Sequence, residues 1–303
     1  MQRLQAIRLA LEGRDTYERI AEIVRCSAAS LSQWIGWFRG GRLWKSDRRL
    51  AQSIHGDLVS IHPMTPPMPA FTPPPGYARI KVVDSFNELI STRFGDGINA
   101  LCWQRTLPGD FSEVVAHLAA SDGITTLDDA HLNALPVSAA GRTAIAVLLE
   151  DQRLLRDHGL SPILECIHGY PRDEDEGPVL TDVYSFHADS ATVETDTWLC
   201  SYNEASSEGL RNDEAQRRID IPETRAELLR LFGGKDNDDF LEYLKENCYD
   251  LHYAPITQAR PFSFGIGNLW RIAVDYPGSP VPPCIHRAPA SRPGQPPRLL
   301  LIS

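Results

Sequence analysis

The sequence predicts an α+β protein built from two modules. Three observations lead there. Residues 1–55 hold ten Lys/Arg against five Asp/Glu, a net of +5, and since the whole chain carries −10 the remainder carries −15. A proline-dense stretch separates the basic head from the acidic body. Within the body, helical periodicity comes first and strand-like runs follow, and helices segregated from strands argue for α+β rather than alternating α/β.

The head, residues 1–55, reads as three helices. Leu4, Ile7, Leu9 and Leu11 fall on one broad face of the first, and Gly13 can end it. Thr16 is placed to cap "YERIAEIVR", where Ile20, Ile23 and Val24 give the apolar stripe. Ser27 can cap a third helix that turns Leu31, Trp34, Ile35 and Phe38 inward. Two short helices joined by a tight turn describe a helix-turn-helix. Over about the first 45 residues the chain also resembles the N-terminal helix-turn-helix of insertion-sequence transposases and related winged regulators. That resemblance implies DNA as a partner. The start of the third helix would enter the major groove, with Ser27, Ala28, Ala29, Ser32 and Gln33 near base edges. Arg39, Arg42, Lys45, Arg48 and Arg49 would lie near phosphates. A single head with so few base-reading side chains binds weakly, so a homodimer is the expected form. A three-helix protein-interaction bundle is the alternative.

Residues 56–79 are expected to be a linker. "HPMTPPMPAFTPPPGY" is rich in proline, which fixes φ and removes the amide donor that helix and sheet need.

The body, residues 80–303, is expected to open with a strand and a helix in "ARIKVVDSFNELI", the helix capped by Asp84 or Ser85. "GINALCWQRTLP" reads as a strand. "DFSEVVAHLAAS" is amphipathic, with Phe111, Val114, Val115 and Leu118 on one side. "GRTAIAVLLEDQRLLRDHG" reads as a long helix ended by Gly159. Strands follow in "PILECIHGYP" and in "VLTDVYSFHADSATVETDTWLCSYNE". The acidic stretch at about 204–250 reads as a partly helical insertion, after which strands return in "FSFGIGNLWRIAVDYPG", "CIHRAPA" and "RLLLIS". This order argues for a β-barrel or double-stranded β-helix (cupin-like) core with flanking helices.

The chemistry is concentrated in a few of these runs. His187 and Asp189 are two residues apart in a strand-like segment, where i and i+2 share a face. An imidazole and a carboxylate inside a barrel are costly unless something pairs with them, and a metal ion is one such partner. His286 stands in "PPCIHRAPA", and Arg298 opens the last strand. The order His-x-Asp, distal His, then Arg resembles the pattern of the iron(II)/2-oxoglutarate-dependent oxygenases. That resemblance implies a dioxygenase with Fe(II) on His187, Asp189 and His286 and 2-oxoglutarate on Arg298, with Arg287 as the alternative anion ligand. Taken singly, each residue has a simpler reading: a buried His–Asp pair, a core histidine, an arginine matched to a surface acid. His117, His131 and His158 fall on helix-like segments and are expected to face solvent.

"ALCWQRTLP", "FHAD…TDTWLCSY" and "IHRAP…RLLLIS" are together similar to a bacterial family of unknown function, over roughly residues 95–303. The resemblance implies no activity, but it groups His187, Asp189, His286 and Arg287. "NEASSEGL" replaces a bulkier turn of that family, which puts a substrate-side loop in doubt.

No apolar run approaches a membrane span, the N-terminus is charged throughout, and cytoplasmic residence is expected. The six scattered cysteines form no CxxC pair and are expected as buried thiols. The rival to the oxygenase is a transcriptional regulator: a DNA-binding head joined to a cupin-like domain that senses a metal or small acid without turnover.

Overall fold

Strand β1 (Ile80–Val83) runs parallel to β2 (Ala100–Trp103), with helix α1 (Phe86–Ser91) between them in sequence. Ser85 starts α1 by accepting a hydrogen bond from the Glu88 amide, as its cap position requires. Asp110 does the same for α2 (Phe111–Ala116), which buries Phe111, Val114 and Val115. Strand β3 (Ile124–Leu127) and helix α3 (Asp129–Ala134) follow. Helix α4 (Ala139–Asp157) begins at the Ser138 cap and turns Ala144, Ile145, Leu148 and Leu155 into the core. It ends before Gly159, whose φ of 80° lies where glycine carries no Cβ penalty.

From there the chain is mainly strand: β4 (Ile163–Ile167), β5 (Phe186–His187), β6 (Asp196–Ser201) and β7 (Glu208–Leu210). A segment containing β8 (Ala215–Arg217), α5 (Pro222–Phe232), α6 (Asp238–Glu246) and β9 (His252–Pro255) intervenes. Then come β10 (Phe262–Ser263), β11 (Leu269–Ala273), β12 (Ile285–Arg287) and β13 (Arg298–Ile302). This computed structural model describes residues 71–118, 123–170, 172, 177–290 and 294–303. The chain divides into units Met1–Ala70 and Phe71–Ser303. The head, with Ser27, Ala28, Ala29, Ser32, Gln33, Arg39 and Arg42, lies outside the described residues.

Among the described residues the strands make two sheets. The larger has the order β1-β2-β11-β6-β13-β4-β3 and the smaller β10-β7-β12-β5-β9-β8. From β4 to β7, and again from β10 to β13, successive strands alternate between the sheets. The inner orders β11-β6-β13-β4 and β10-β7-β12-β5 therefore run in step.

The larger sheet is covered on both faces, which explains why β13 reads Arg-Leu-Leu-Leu-Ile without polar alternation. Leu299 and Leu301 join Leu101, Leu148 and Leu155 in the core under the helices. Leu300 belongs to a second core with Ile167, Leu199, Trp270 and Ile272 from the same sheet and Cys284 and Phe264. On the helix side Arg105 donates to both Asp151 carboxylate oxygens at 2.6 and 2.7 Å, and Tyr202 donates to the same carboxylate at 2.7 Å. This buried pair ties α4 to the sheet.

Two boundaries differ from those the sequence predicts. The expected linker at 56–79 gives way to folded structure by residue 71. Phe71 sets its ring edge-on to Trp270, with centroids 4.9 Å apart, and the Tyr77 hydroxyl donates to Asn212 at 2.8 Å. Proline content marks lost backbone donors but says nothing of the aromatic side chains between the prolines, and those are what dock. The expected insertion at about 204–250 includes β7, which pairs with β10 and β12. The segment that interrupts the strand alternation therefore lies between β7 and β10. It has a small core of its own, with Ile219, Leu228, Phe240 and Leu244 packed around Val179. Its strands β8 and β9 extend the smaller sheet past β5.

Candidate metal centre

His187 and His286 meet because β5 and β12 are antiparallel neighbours and the two histidines are cross-strand partners. Their ring centroids are 4.6 Å apart. Residues before and after them point to the other face, as strand alternation demands: Phe186 and Ile285 sit together in a separate cluster with Leu210. Asp189 lies just beyond β5. Its position is held through the backbone, where its carbonyl accepts the Asp275 amide at 2.8 Å. Its side chain is held by Thr197, whose hydroxyl donates to Oδ2 at 2.6 Å.

The resulting cluster gathers one ligand atom from each of His187, Asp189 and His286 within 4.8 Å of one another. His187 Nε2 is 4.0 Å from Asp189 Oδ1, and His286 Nε2 is 3.7 Å from Asp189 Oδ2. These gaps are too long for hydrogen bonds. They are close to the roughly 3–4 Å expected between donors that each sit about 2.0–2.2 Å from a shared ion.

The imidazole orientations fit the same use. His187 Nδ1 lies 2.8 Å from the Ser185 carbonyl, which only accepts, so Nδ1 carries the proton and Nε2 presents a lone pair. His286 Nδ1 lies 3.4 Å from the Cys284 carbonyl. His187 Nε2 is buried and has no hydrogen-bond partner among the described residues, an arrangement that is costly in a protein interior. Burial pushes the His187 imidazole down to about 4, and His286 adds to this against the pull of Asp189. Burial alone would raise the Asp189 carboxyl, but His286, His187 and the Thr197 hydroxyl outweigh it and hold the group below its ordinary value. Near neutral pH the site thus holds a carboxylate beside a neutral His187, the protonation states that bind cations.

Arg298 lies on the larger sheet and is 6% exposed. Its Nη2 donates to Ser201 at 2.8 Å and to Ser207 at 2.7 Å, and Nη1 reaches Tyr170 at 3.4 Å. Its Nε is buried without a partner, and no carboxylate among the described residues makes an ion pair with it. Burial lowers its pKa, opposed by the Tyr170 hydroxyl, the Cys200 thiol and the more distant Glu165 carboxylate. Ser207 stands two residues before Gly209, the cross-strand partner of His286, so Arg298 reaches from the larger sheet to a strand beside the His187–Asp189–His286 cluster. A Cβ at Gly209 would overlap the Phe262 ring, so glycine is what lets the aromatic core pack against this strand.

Arg287 has a different setting. It is the cross-strand partner of Glu208, and its Nε donates to that carboxylate at 2.7 Å. Its guanidinium also lies 4.2 Å from the centroid of Phe186, on the face away from His286. The structure therefore brings Arg287 to a surface ion pair rather than to the triad. His117, His131 and His158 are exposed.

Sequence reasoning passed over His252. It is buried, is the cross-strand partner of His187, and its ring centroid is 5.8 Å from that of His187. The only signal in the sequence was a histidine in the strand-like run "HYAP" at the end of a segment read as an insertion. Thr197, Ser201 and Ser207 were equally silent, since a serine or threonine in a strand carries no local mark of its partner.

No helix among the described residues is long and apolar enough to cross a membrane. No curated protein and no solved structure matches the chain. A family model described as a helix-turn-helix domain matches residues 2–51, within the basic head.

Proposed function

We propose that the body is an oxygenase that holds iron(II) on His187, Asp189 and His286 and binds 2-oxoglutarate through Arg298. The observation that carries this reading is the buried cluster of two imidazoles and one carboxylate whose ligand atoms lie within 4.8 Å of one another. The orphaned Nε2 of His187 fits a metal better than it fits a core histidine. Two His and one carboxylate suit a non-haem iron site with positions left open. The alternation of strands between two sheets in matched order supports a double-stranded β-helix core.

When bound, iron(II) with 2-oxoglutarate supplies the oxidation of a substrate C–H bond by dioxygen. The chain's own residues supply placement. His187 and His286 present fixed lone pairs, and Asp189 supplies the negative charge that offsets the ion, oriented by Thr197. Arg298 presents a planar guanidinium held in place by Ser201, Ser207 and Tyr170, with Nε the donor left unpaired among the described residues for an anion. Among the described residues no carboxylate makes an ion pair with this buried cation, the feature expected of an anion site, because an unpaired interior charge is otherwise costly.

The test is anaerobic purification followed by metal analysis and titration with 2-oxoglutarate. One iron per chain and a visible charge-transfer band on adding the oxoacid are expected. Protein that takes up metal but gives no band would overturn the oxygenase reading.

A second reading has its own support. The helix-turn-helix match at residues 2–51 favours a regulator whose body senses a metal or small acid without turnover. Under that reading, DNA affinity changes when the body is loaded, and no substrate is consumed.

A further inference from the structure

We infer that His252 is a positioning residue for the metal centre, delivered to it by the segment inserted between β7 and β10. The inference rests on the metal reading above. Three adjacent strands of the smaller sheet, β9, β5 and β12, each place one histidine at the same register: His252, His187 and His286. Cross-strand partners share a face, so the three rings form a row. His187 is the middle ring, 4.6 Å by centroid from His286 on one side and 5.8 Å from His252 on the other.

His252 is not one of the three residues whose ligand atoms converge. It lies on the far side of His187 from His286, so its ring forms the wall against which the His187 imidazole rests. The same turn of chain also grips the backbone of the motif. Leu251 accepts the amide of Ala188, the residue between His187 and Asp189, at 2.9 Å. The inserted segment thus holds His187 by its ring and the His-x-Asp backbone by a hydrogen bond. A metal ligand needs its ring angle fixed by its surroundings, and loss of such support costs about 10- to 100-fold in metal affinity.

The experiment uses the full chain and cobalt(II) alone as probe, read by its visible absorption and by titration. The parent is expected to bind one cobalt(II) per chain. His252→Ala should bind the same number about 10- to 100-fold more weakly, with shifted bands, because His187 gains room to rotate. His252→Phe restores a flat ring without ring nitrogens and should recover both affinity and spectrum. If the alanine variant does not fold, judged by circular dichroism, His252→Leu takes its place, since a branched aliphatic fills space without a planar wall. An alanine or leucine variant with the parent's affinity and spectrum would overturn the inference. So would a phenylalanine variant that fails to restore them. A parent that binds no cobalt(II) would instead bring down the metal reading itself, a separate and recognisable result.

Discussion

His187 and His286 are direct cross-strand partners, far apart in sequence and adjacent in the smaller sheet. Removing either should therefore remove one of the three groups of a single constellation. His286→Ala and Asp189→Ala should each weaken metal binding by about 100-fold or more, beyond the roughly 10- to 100-fold expected for supporting residues. Asp196→Ala should not, because Asp196 pairs with Arg271 at 2.7 Å, and Asp182→Ala should not, because Asp182 accepts the Tyr184 and Ser185 amides. Metal titration of the four variants decides it. Equal losses in all four would mean that global damage, not ligation, is being read.

Arg298→Ala should lower 2-oxoglutarate affinity by roughly 10- to 100-fold while metal uptake persists, the range expected for hydrogen bonds to a charged group. Arg298→Lys should recover part of it, since an ammonium keeps the charge but not the planar guanidinium that Ser201 and Ser207 orient. Arg287→Ala is the control, as Arg287 is already held by Glu208. Without ligand, Arg298→Met should melt no lower than the parent, because it removes a buried charge that no carboxylate among the described residues pairs with. A large fall in melting temperature would mark Arg298 as a structural residue.

Acid should destabilise the metal-free protein. Folding holds His187 at about 4, below the ordinary value near 6.5, so between these limits the unfolded chain binds the extra proton. Stability is then complete above about pH 6.5 and declines as the pH falls toward 4. Urea midpoints measured across that window should fall with pH in the parent and fall less in His187→Phe. Equal slopes in the two proteins would show that other groups drive acid unfolding.

The Arg105–Asp151 pair should matter for folding and not for the metal. Asp151→Ala leaves a guanidinium buried without its partner and should cost about 3–5 kcal/mol. Replacing both residues by methionine should cost much less. Urea denaturation measures the first effect, and cobalt(II) binding of the folded variants should match the parent.

Phe71–Ser303 alone should keep metal binding and lose DNA binding. The full chain's DNA affinity should fall steeply with salt, since the head carries many basic residues and few that read bases. Salt-dependent DNA affinity retained by the shortened chain would sink this division.

Most long elements were legible because local chemistry marks them. Ser85, Asp110 and Ser138 announce helix starts, and apolar stripes announce the buried faces. The helix-like segment around His131 is α3, which Asp128 caps in the same way, while strand β3 was missed. The grouping of His187, Asp189 and His286 could be read from spacing, but not for the reason given. Asp189 is not within strand β5, and backbone contact with Asp275, distant in sequence, places it. The neighbour of His286, Arg287, was grouped with the triad by resemblance, whereas strand alternation turns it outward to Glu208. His252 was invisible because its significance depends on β9 pairing with β5, a long-range choice no local pattern encodes.

The extension of the smaller sheet by β9 and β8 also changes what that sheet exposes. Without the inserted segment, β5 would be an outer strand, its unpaired amides and carbonyls open to other chains beside His187. With it, the sheet closes at one end on β8, three residues long and carrying Arg217, and at the other on the two-residue β10. Such short margins are poor templates for intermolecular strand addition. Deleting the segment should therefore leave a body that aggregates through the exposed edge of β5.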